Sequence, residues 1–404
     1  MLENDTKILF VCPMPPPVHG SSMVSQSIKE SSVLNDEFAM DFVNLSTSRT
    51  MEEIDKRSWS LYARKAVRFI GAYAKTLWLL TTRKYDLCYL AITCHGVGFL
   101  KDAPFVLLCK LFRHKVVIHQ HNKGMAKDVD RHIYRWLLPM VYRNTKVILL
   151  SWRLYADIEK VVKREQVMIC PNGIPDTNSK ITSAERHNDV PHILFLSNLI
   201  VSKGVLVLLD ALKTLKERGC RFVCDFVGGE TKELDGRRFA LEIEARGLDD
   251  IAVYHGRKYG KDKEAFLQTA DIFVFPTFYF NECFPLVIIE AMMNGLPVIS
   301  TDEGGIRDEV KDGKNGFVVK PQDSKVLADA IQRLLDDKNA RHTMGAEGRR
   351  IYPSQNACCW HETAYSYDCH CTGICLFYTV QYSAFTLYKC NLAFNTGHLY
   401  MDLG

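Results

Sequence analysis

Short runs of continuously apolar residues, set apart by helix-length segments, recur along the first 350 residues. No other feature limits the fold as strongly. In the first half the runs are KILFVC (7–12), DLCYLAI (86–92), KVVIHQ (115–120) and KVILLS (146–151). Segments of helical pattern, including 57–82 and 128–143, lie between them. A strand that is apolar on every residue must be covered on both faces, which predicts a parallel sheet layered by helices. The polar stretch PNGIPDTNSKITSAERHNDVP (171–191) interrupts the pattern and reads as a linker. It then restarts with HILFLS (192–197), RFVCDFVG (221–228), IAVYHG (251–256), DIFVFP (271–276) and PVIST (297–301). The expectation is an α/β chain of two doubly wound, Rossmann-like domains, 1–175 and 191–350, joined by a linker at 176–190. In such sheets ligands bind beyond the C-terminal ends of the strands.

The length of 404 residues agrees with two domains, and 47% hydrophobic with 24% charged residues is a globular composition. A net charge of +4 gives no argument for nucleic acid. The N-terminus, MLENDTKILFVC, has early acidic residues and a short apolar run, so it reads as a first strand rather than a leader. No run approaches the roughly 18 apolar residues of a spanning helix, and a cytoplasmic location is expected. Eight of the 14 cysteines are scattered over the first 350 residues, where reduced, buried thiols are the plain reading.

The segment NECFPLVIIEAMMNGLP (281–297) places Glu290 inside an apolar helical run, eight residues after Glu282. Burying a carboxylate is costly unless it is paired. Glu290 therefore meets either a structural Arg or Lys or a docking molecule, and a vicinal diol such as a ribose would offer it two O–H donors. Pro285 near the first helical position and Gly295 beyond the end frame the helix. The backbone amides of Phe284 and Leu286 at its start would suit a phosphate. Gly304 and Gly305, at the next strand end, allow close approach to a ligand or simply make a turn.

The sequence NECFPLVIIEAMMNGLPVISTDEGGIRDEVKDGKNGFVV resembles the donor-binding segment of retaining GT-B glycosyltransferases of family 4, the group 1 type. That resemblance implies a GT-B architecture, with the donor on the C-terminal domain and the acceptor on the N-terminal one. It implies that Glu290 holds the nucleotide ribose, that Glu282 contacts the transferred sugar, and that the backbone amides of Cys283, Phe284 and Leu286 hold the diphosphate, Pro285 lacking one. In FLSNLIVSKGV, Lys203-Gly204 matches the family's basic element, while Asn198 stands where Arg is usual. Lys203 would neutralise the leaving diphosphate as a point charge, with Asn198 donating hydrogen bonds or Arg257 serving as a second cation. The family also carries a His after a strand of the N-terminal domain. KVVIHQHNKG offers His121, with His119 one step deeper as a core residue. Gly20 and Ser21 would open the helix that approaches the donor. No metal or other cofactor is implied. The donor is a nucleotide-diphosphate sugar, UDP or GDP linked, and the acceptor a glycan or lipid-linked glycan of bacterial surface polysaccharide synthesis. Alternatives are an epimerase or hydrolase on the same fold, or an impaired transferase acting as a binding scaffold. A dinucleotide oxidoreductase is disfavoured, because no G-x-G-x-x-G follows either first strand.

Two segments stand apart from this pattern. From Lys56 to Tyr85 the chain has eight Lys or Arg and no Asp or Glu, interleaved with Trp, Tyr and Phe. Residues 57–82 read either as a helix that lies on an anionic membrane surface or as a core helix with a basic solvated face. From 351 to 404 the chain becomes rich in cysteine, with six, and has no Arg. Its spacings fit no zinc pattern, and an aberrant or poorly ordered tail is expected there.

Overall fold

The computed structural model describes residues 6–18, 20–50, 53, 58–174 and 188–356, with side chains through Ile351. Two six-stranded parallel sheets organise the chain. The first contains β1 (Lys7–Cys12), β2 (Ala39–Asn44), β3 (Leu87–Leu90), β4 (Val116–Gln120), β5 (Lys146–Leu149) and β6 (Val167–Ile169). Its order is β2-β1-β3-β4-β5-β6. The second holds β7 (His192–Leu196), β8 (Val223–Val227), β9 (Ala252–Tyr254), β10 (Ile272–Phe275), β11 (Val298–Thr301) and β12 (Gly316–Val319), ordered β12-β11-β10-β7-β8-β9. The central strands are buried along their length, as the apolar runs require. The linker expected at 176–190 falls almost wholly outside the described residues, and so does the tail beyond Asn356.

The strand order reverses between β1 and β3 in the first sheet and between β7 and β10 in the second. Such switch points open a crevice beyond the strand ends. The two sets of C-terminal ends face each other. Lys123, after β4, pairs with Glu303, after β11, at 3.0 Å. Ser151, after β5, donates to the Asp308 carboxylate. Asn172, after β6, donates to the Phe284 carbonyl at 2.8 Å. Phe280, in the loop after β10, lies under the ammonium groups of Lys123 and Lys127.

One helix bridges the two cores. Leu286–Met293 turns Ile288, Ala291 and Met292 into the core of the second sheet. With Cys283 and Phe284 ahead of it, it turns Ile289 and Met293 into the core of the first. This explains why the sequence is apolar around nearly the whole helix. Leu286 packs against the first core and Val287 against the second. Glu290, one turn on from Leu286, falls on the seam between those two faces.

Candidate active site

The loops after β7 and β10 meet at the second sheet's switch point. Ser202 accepts from the Phe278 amide at 2.8 Å, and a Cβ on Gly204 would lie 2.0 Å from the Pro276 carbonyl oxygen. Gly204 also adopts φ +85°, so glycine is required there on both counts. This contact carries Lys203 across to Glu282, with Nζ 2.5 Å from Oε2. Both side chains are largely buried. The ammonium lies over the rings of Tyr279 and Phe275, at 4.5 and 5.4 Å from their centroids. Glu282 is thus the buried partner of the basic residue read from VSKG.

Pro285 is the residue before the helix rather than its first helical position, with extended φ −72° and ψ 118°. The amide of Phe284 accordingly precedes the helix, and the Phe284 carbonyl accepts from Asn172. The helical amides begin at Leu286, and the Ile288 amide already donates to the Pro285 carbonyl at 3.1 Å. Leu286 and Val287 therefore provide the unsatisfied N–H groups at this terminus. Cys283 is buried, and burial pushes its thiol well up, so it is no nucleophile.

Glu290 finds a partner on one oxygen only. Lys263, on the helix Gly260–Thr269, donates to Oε1 at 2.6 Å, while Oε2 is buried without a hydrogen-bond partner. Burial raises its pKa, against the opposing pull of Lys263. The structure thus supplies both the structural lysine and an acceptor still able to take a donor.

Asn198 and Arg257 meet at a glycine pair that sequence reasoning passed over. Gly228 and Gly229 follow β8, and a Cβ on Gly228 would sit 1.7 Å from the Ser197 carbonyl oxygen. The Gly229 amide donates to Asn198 Oδ1 at 3.1 Å, so that oxygen is committed to the loop. Arg257 is exposed and lies against Gly229. A glycine pair at a strand end was the available signal.

On the first-sheet side, His119 is fully buried in β4, with Nδ1 2.6 Å from the Tyr89 hydroxyl. Burial, and then the neighbouring His121, hold its pKa well below the ordinary value. His121 lies against it, with ring centroids 4.1 Å apart and planes tilted by 36°, and begins the loop that carries Lys123 to Glu303. His119 is therefore a core residue of β4, while His121 follows the strand directly. Gly20 and Ser21 begin the helix Gly20–Glu30 after β1, on the same side as the other strand ends. Gly304 and Gly305 close on protein rather than open toward a ligand. A Cβ on Gly304 would be 2.4 Å from the Glu282 carbonyl oxygen, and the Gly305 amide donates to the Cys283 carbonyl at 2.6 Å. Among the described residues no cluster of three or more His, Cys, Asp or Glu side chains is arranged to hold a metal ion.

Residues 177–351 match the family described as glycosyl transferases group 1. The chain is similar to an alpha-D-kanosaminyltransferase of Streptomyces kanamyceticus, 26% identical over 302 residues covering 68% of this chain and 76% of that protein. It is also similar to the capsular polysaccharide biosynthesis glycosyltransferase CapM of Staphylococcus aureus, 30% identical over 165 residues, or 40% of this chain and 41% of that one. The matches to two D-inositol 3-phosphate glycosyltransferases likewise span 38% and 36% of their lengths. Among solved structures, Anabaena Alr3699/HepE in complex with UDP superposes with TM-score 0.70 at 18% identity, covering 95% of this chain and 100% of that one. The two facing parallel sheets have the GT-B fold of such solved structures, and the residues that match the glycosyl transferases group 1 model include Lys203, Glu282 and Glu290.

Proposed function

We propose that this chain is a retaining, metal-independent glycosyltransferase that moves a sugar from a nucleotide diphosphate to a glycan or lipid-linked acceptor. The observation that carries the reading is the Lys203–Glu282 pair, held at the switch point of the second sheet beside the Leu286–Met293 helix. A diphosphate at that helix start takes the amides of Leu286 and Val287 and competes with Glu282 for the Lys203 ammonium. Glu282, so released, accepts from hydroxyls of the sugar. Glu290 accepts from the ribose through the oxygen that Lys263 leaves unbonded. As the bond to the diphosphate breaks, negative charge grows on the leaving oxygen. Lys203 and the helix amides, fixed beforehand, stabilise it. Asn198 Nδ2 and Arg257 flank the same loops, while His121, Gly20 and Ser21 border the donor from the first sheet. Closure of the two domains excludes water from the reacting carbon.

The Anabaena neighbour's bound UDP makes uridine diphosphate sugars the first donors to try. Calorimetric titration with UDP, GDP and their sugar conjugates is expected to show binding of one nucleotide. Anomeric NMR of the product with an added acceptor is expected to show the donor's configuration retained. Inverted product would remove the retaining assignment. Donor consumed without acceptor would mean hydrolysis or epimerisation, and binding without any turnover a scaffold.

The acceptor is proposed to reside on a membrane in bacterial surface polysaccharide synthesis, with the protein cytoplasmic and peripheral. No helix among the described residues is long and apolar enough to cross a membrane. On the helix Trp59–Thr82, Trp59 is 91% exposed, and Tyr62, Val67, Ile70 and Trp78 are exposed with it, beside Arg64 and Lys75. Leu61, Thr76, Leu79 and Leu80 anchor its inner face. Flotation with anionic vesicles at low salt is expected to carry the protein upward, and neutral vesicles to carry little. Equal recovery with both would leave the helix as an exposed face without a membrane role.

A further inference from the structure

Lys263 stands on the inward side of its helix, where a lysine is not expected. The helix Gly260–Thr269 buries Leu267 in the second core and packs Phe266 against that core. Phe266 also meets the His255 ring, with centroids 4.6 Å apart. Lys263 lies three and four positions before these two residues and shares their face. Lys261 and Asp262, just before it, are exposed. A lysine so placed ordinarily carries its ammonium out to water along its stem. Instead, Nζ lies 2.6 Å from Glu290 Oε1, with the two side chains only 27% and 17% exposed.

Glu290 is held at two levels. Its carbonyl accepts from the Asn294 amide at 3.2 Å and from Asn294 Nδ2 at 3.0 Å, which fixes the backbone. Its carboxylate has Lys263 as its hydrogen-bond partner among the described residues, and that contact leaves Oε2 over. The surroundings add little charge. Glu264, beside Lys263, acts on Glu290 against the lysine. On the helix Lys338–Asn356 packed behind, Arg349 donates to the Met293 carbonyl, and Glu347 is bonded to Arg350. β10 and β11 bring no acidic or basic side chain, and the first core meets this helix through Leu286, Ile289 and Met293. An ion pair this secluded adds little to the fold, since apolar side chains of similar size would serve as well. What it does alter is the state of the carboxylate.

We propose that Lys263 is the positioning residue of the ribose subsite: by holding Oε1 it turns Oε2 of Glu290 to the ribose diol, and its charge keeps the carboxylate an acceptor. This rests on the donor-site reading given above. The role is one of positioning, because Glu290 touches the nucleotide and Lys263 acts through it. A carboxylate accepts from two hydroxyls, whereas a protonated acid spends one oxygen as a donor. Burial raises the Glu290 pKa and Lys263 opposes that rise, so the lysine widens the pH range over which the diol is held.

Calorimetry with UDP, or with GDP should that be the nucleotide wild type binds, tests this across pH. Lys263→Met keeps the apolar stem and is expected to weaken binding about tenfold near neutral pH. The deficit should narrow toward about pH 9, where Glu290 ionises without help. Lys263→Arg restores the charge and is expected to stay within about threefold of wild type. Lys261→Met, on the exposed side of the same helix, should change nothing. In a Glu290→Ala background Lys263→Met should add no further loss, because the lysine acts only through that carboxylate. Should Lys263→Met fail to fold, Lys263→Gln, which keeps a donor without the charge, gives the same comparison. Unchanged affinity, a loss equal at every pH, or a loss that recurs in Glu290→Ala would each overturn the proposal.

Glu290 can also be followed without a nucleotide. The infrared difference between a protein and its Glu290→Gln counterpart, taken across pH, shows the carboxylic acid C=O stretch giving way to carboxylate bands. This changeover is expected at higher pH in Lys263→Met than in wild type. Coincident changeovers would overturn the proposal. Wild type that binds neither nucleotide, with the changeover still displaced, would overturn the donor-site reading and the ribose role with it, while the hold of Lys263 on Glu290 stood. The two failures are therefore distinguishable.

Discussion

Replacing Lys203 with alanine is expected to lower kcat by about 10²–10³, or about 3–4 kcal/mol of transition-state stabilisation. The magnitude follows from where the charge sits. Lys203 lies in a largely buried slot between Tyr279 and Phe275, where its field is little screened, and nothing else in the slot replaces it. Asn198 has Oδ1 committed to the Gly229 amide, and Arg257 is exposed beside Gly229. Lys203→Ala also strips Glu282 of its partner, leaving a buried carboxylate that costs a further few kcal/mol unless it protonates or the loop opens. The variant should therefore melt lower as well as turn over more slowly. Two controls separate these effects. Lys203→Met keeps the stem between the rings, so its stability should exceed that of the alanine variant while its kcat remains as low. Lys203→Arg restores charge but not the compact ammonium geometry that reaches Glu282 between two rings, and only partial rescue is expected. Steady-state kinetics with the bound donor, alongside thermal unfolding, checks all three. Near-normal kcat in Lys203→Met would reduce Lys203 to a structural partner of Glu282.

The residues of this site were legible one by one, but their contacts were not. Lys203 and Glu282 lie 79 positions apart and meet only because β7 and β10 are neighbours at the switch point. That neighbour relation is a matter of strand order, which local periodicity does not encode. Lys263 carries no motif at all: it lies on a half-exposed helix, and only the seam position of Glu290 makes it a partner.

The strands show the same division between local and non-local information. Runs such as KILFVC and DIFVFP became β1 and β10 within a residue or two, because strands covered on both faces must be apolar throughout. The three strands not read from sequence, β2, β6 and β12, are all at sheet edges. Partly exposed, as in AMDFVN, or only three residues long, as in VMI, edge strands lose the continuous apolar signature. The fourth edge, β9, was read from the run IAVYHG, of which only Ala252–Tyr254 forms the strand. Cores are thus announced by composition, whereas edges and cross-loop pairs depend on topology.

Glu290 is the position at which burial and function pull in opposite directions, and its removal is expected to affect binding far more than folding. Its helix is already anchored in both cores through Ile288, Ile289, Met292 and Met293, so alanine loses little packing. It also relieves a carboxylate whose second oxygen has no hydrogen-bond partner. The cost is an unpaired Lys263, which is exposed enough to be hydrated. Stability should therefore change by only about 1 kcal/mol in either direction. For binding, a ribose diol gives the carboxylate up to two charge-assisted hydrogen bonds, each of about 1.5–3 kcal/mol. Glu290→Ala is thus expected to weaken the bound nucleotide by about 30- to 1,000-fold in calorimetry. The ribose is tested directly by the same nucleotide lacking both ring hydroxyls, whose affinity should be low in wild type and unchanged in the variant. Acidity gives an independent check. The Glu290 pKa is raised by burial, so acidification protonates it early and wild-type affinity should fall as pH drops through that raised value. In Glu290→Ala that particular dependence should vanish. Should wild type and variant bind the nucleotide equally, with both folded, Glu290 would be the structural partner of Lys263, and the diol would have to be held elsewhere on the second sheet.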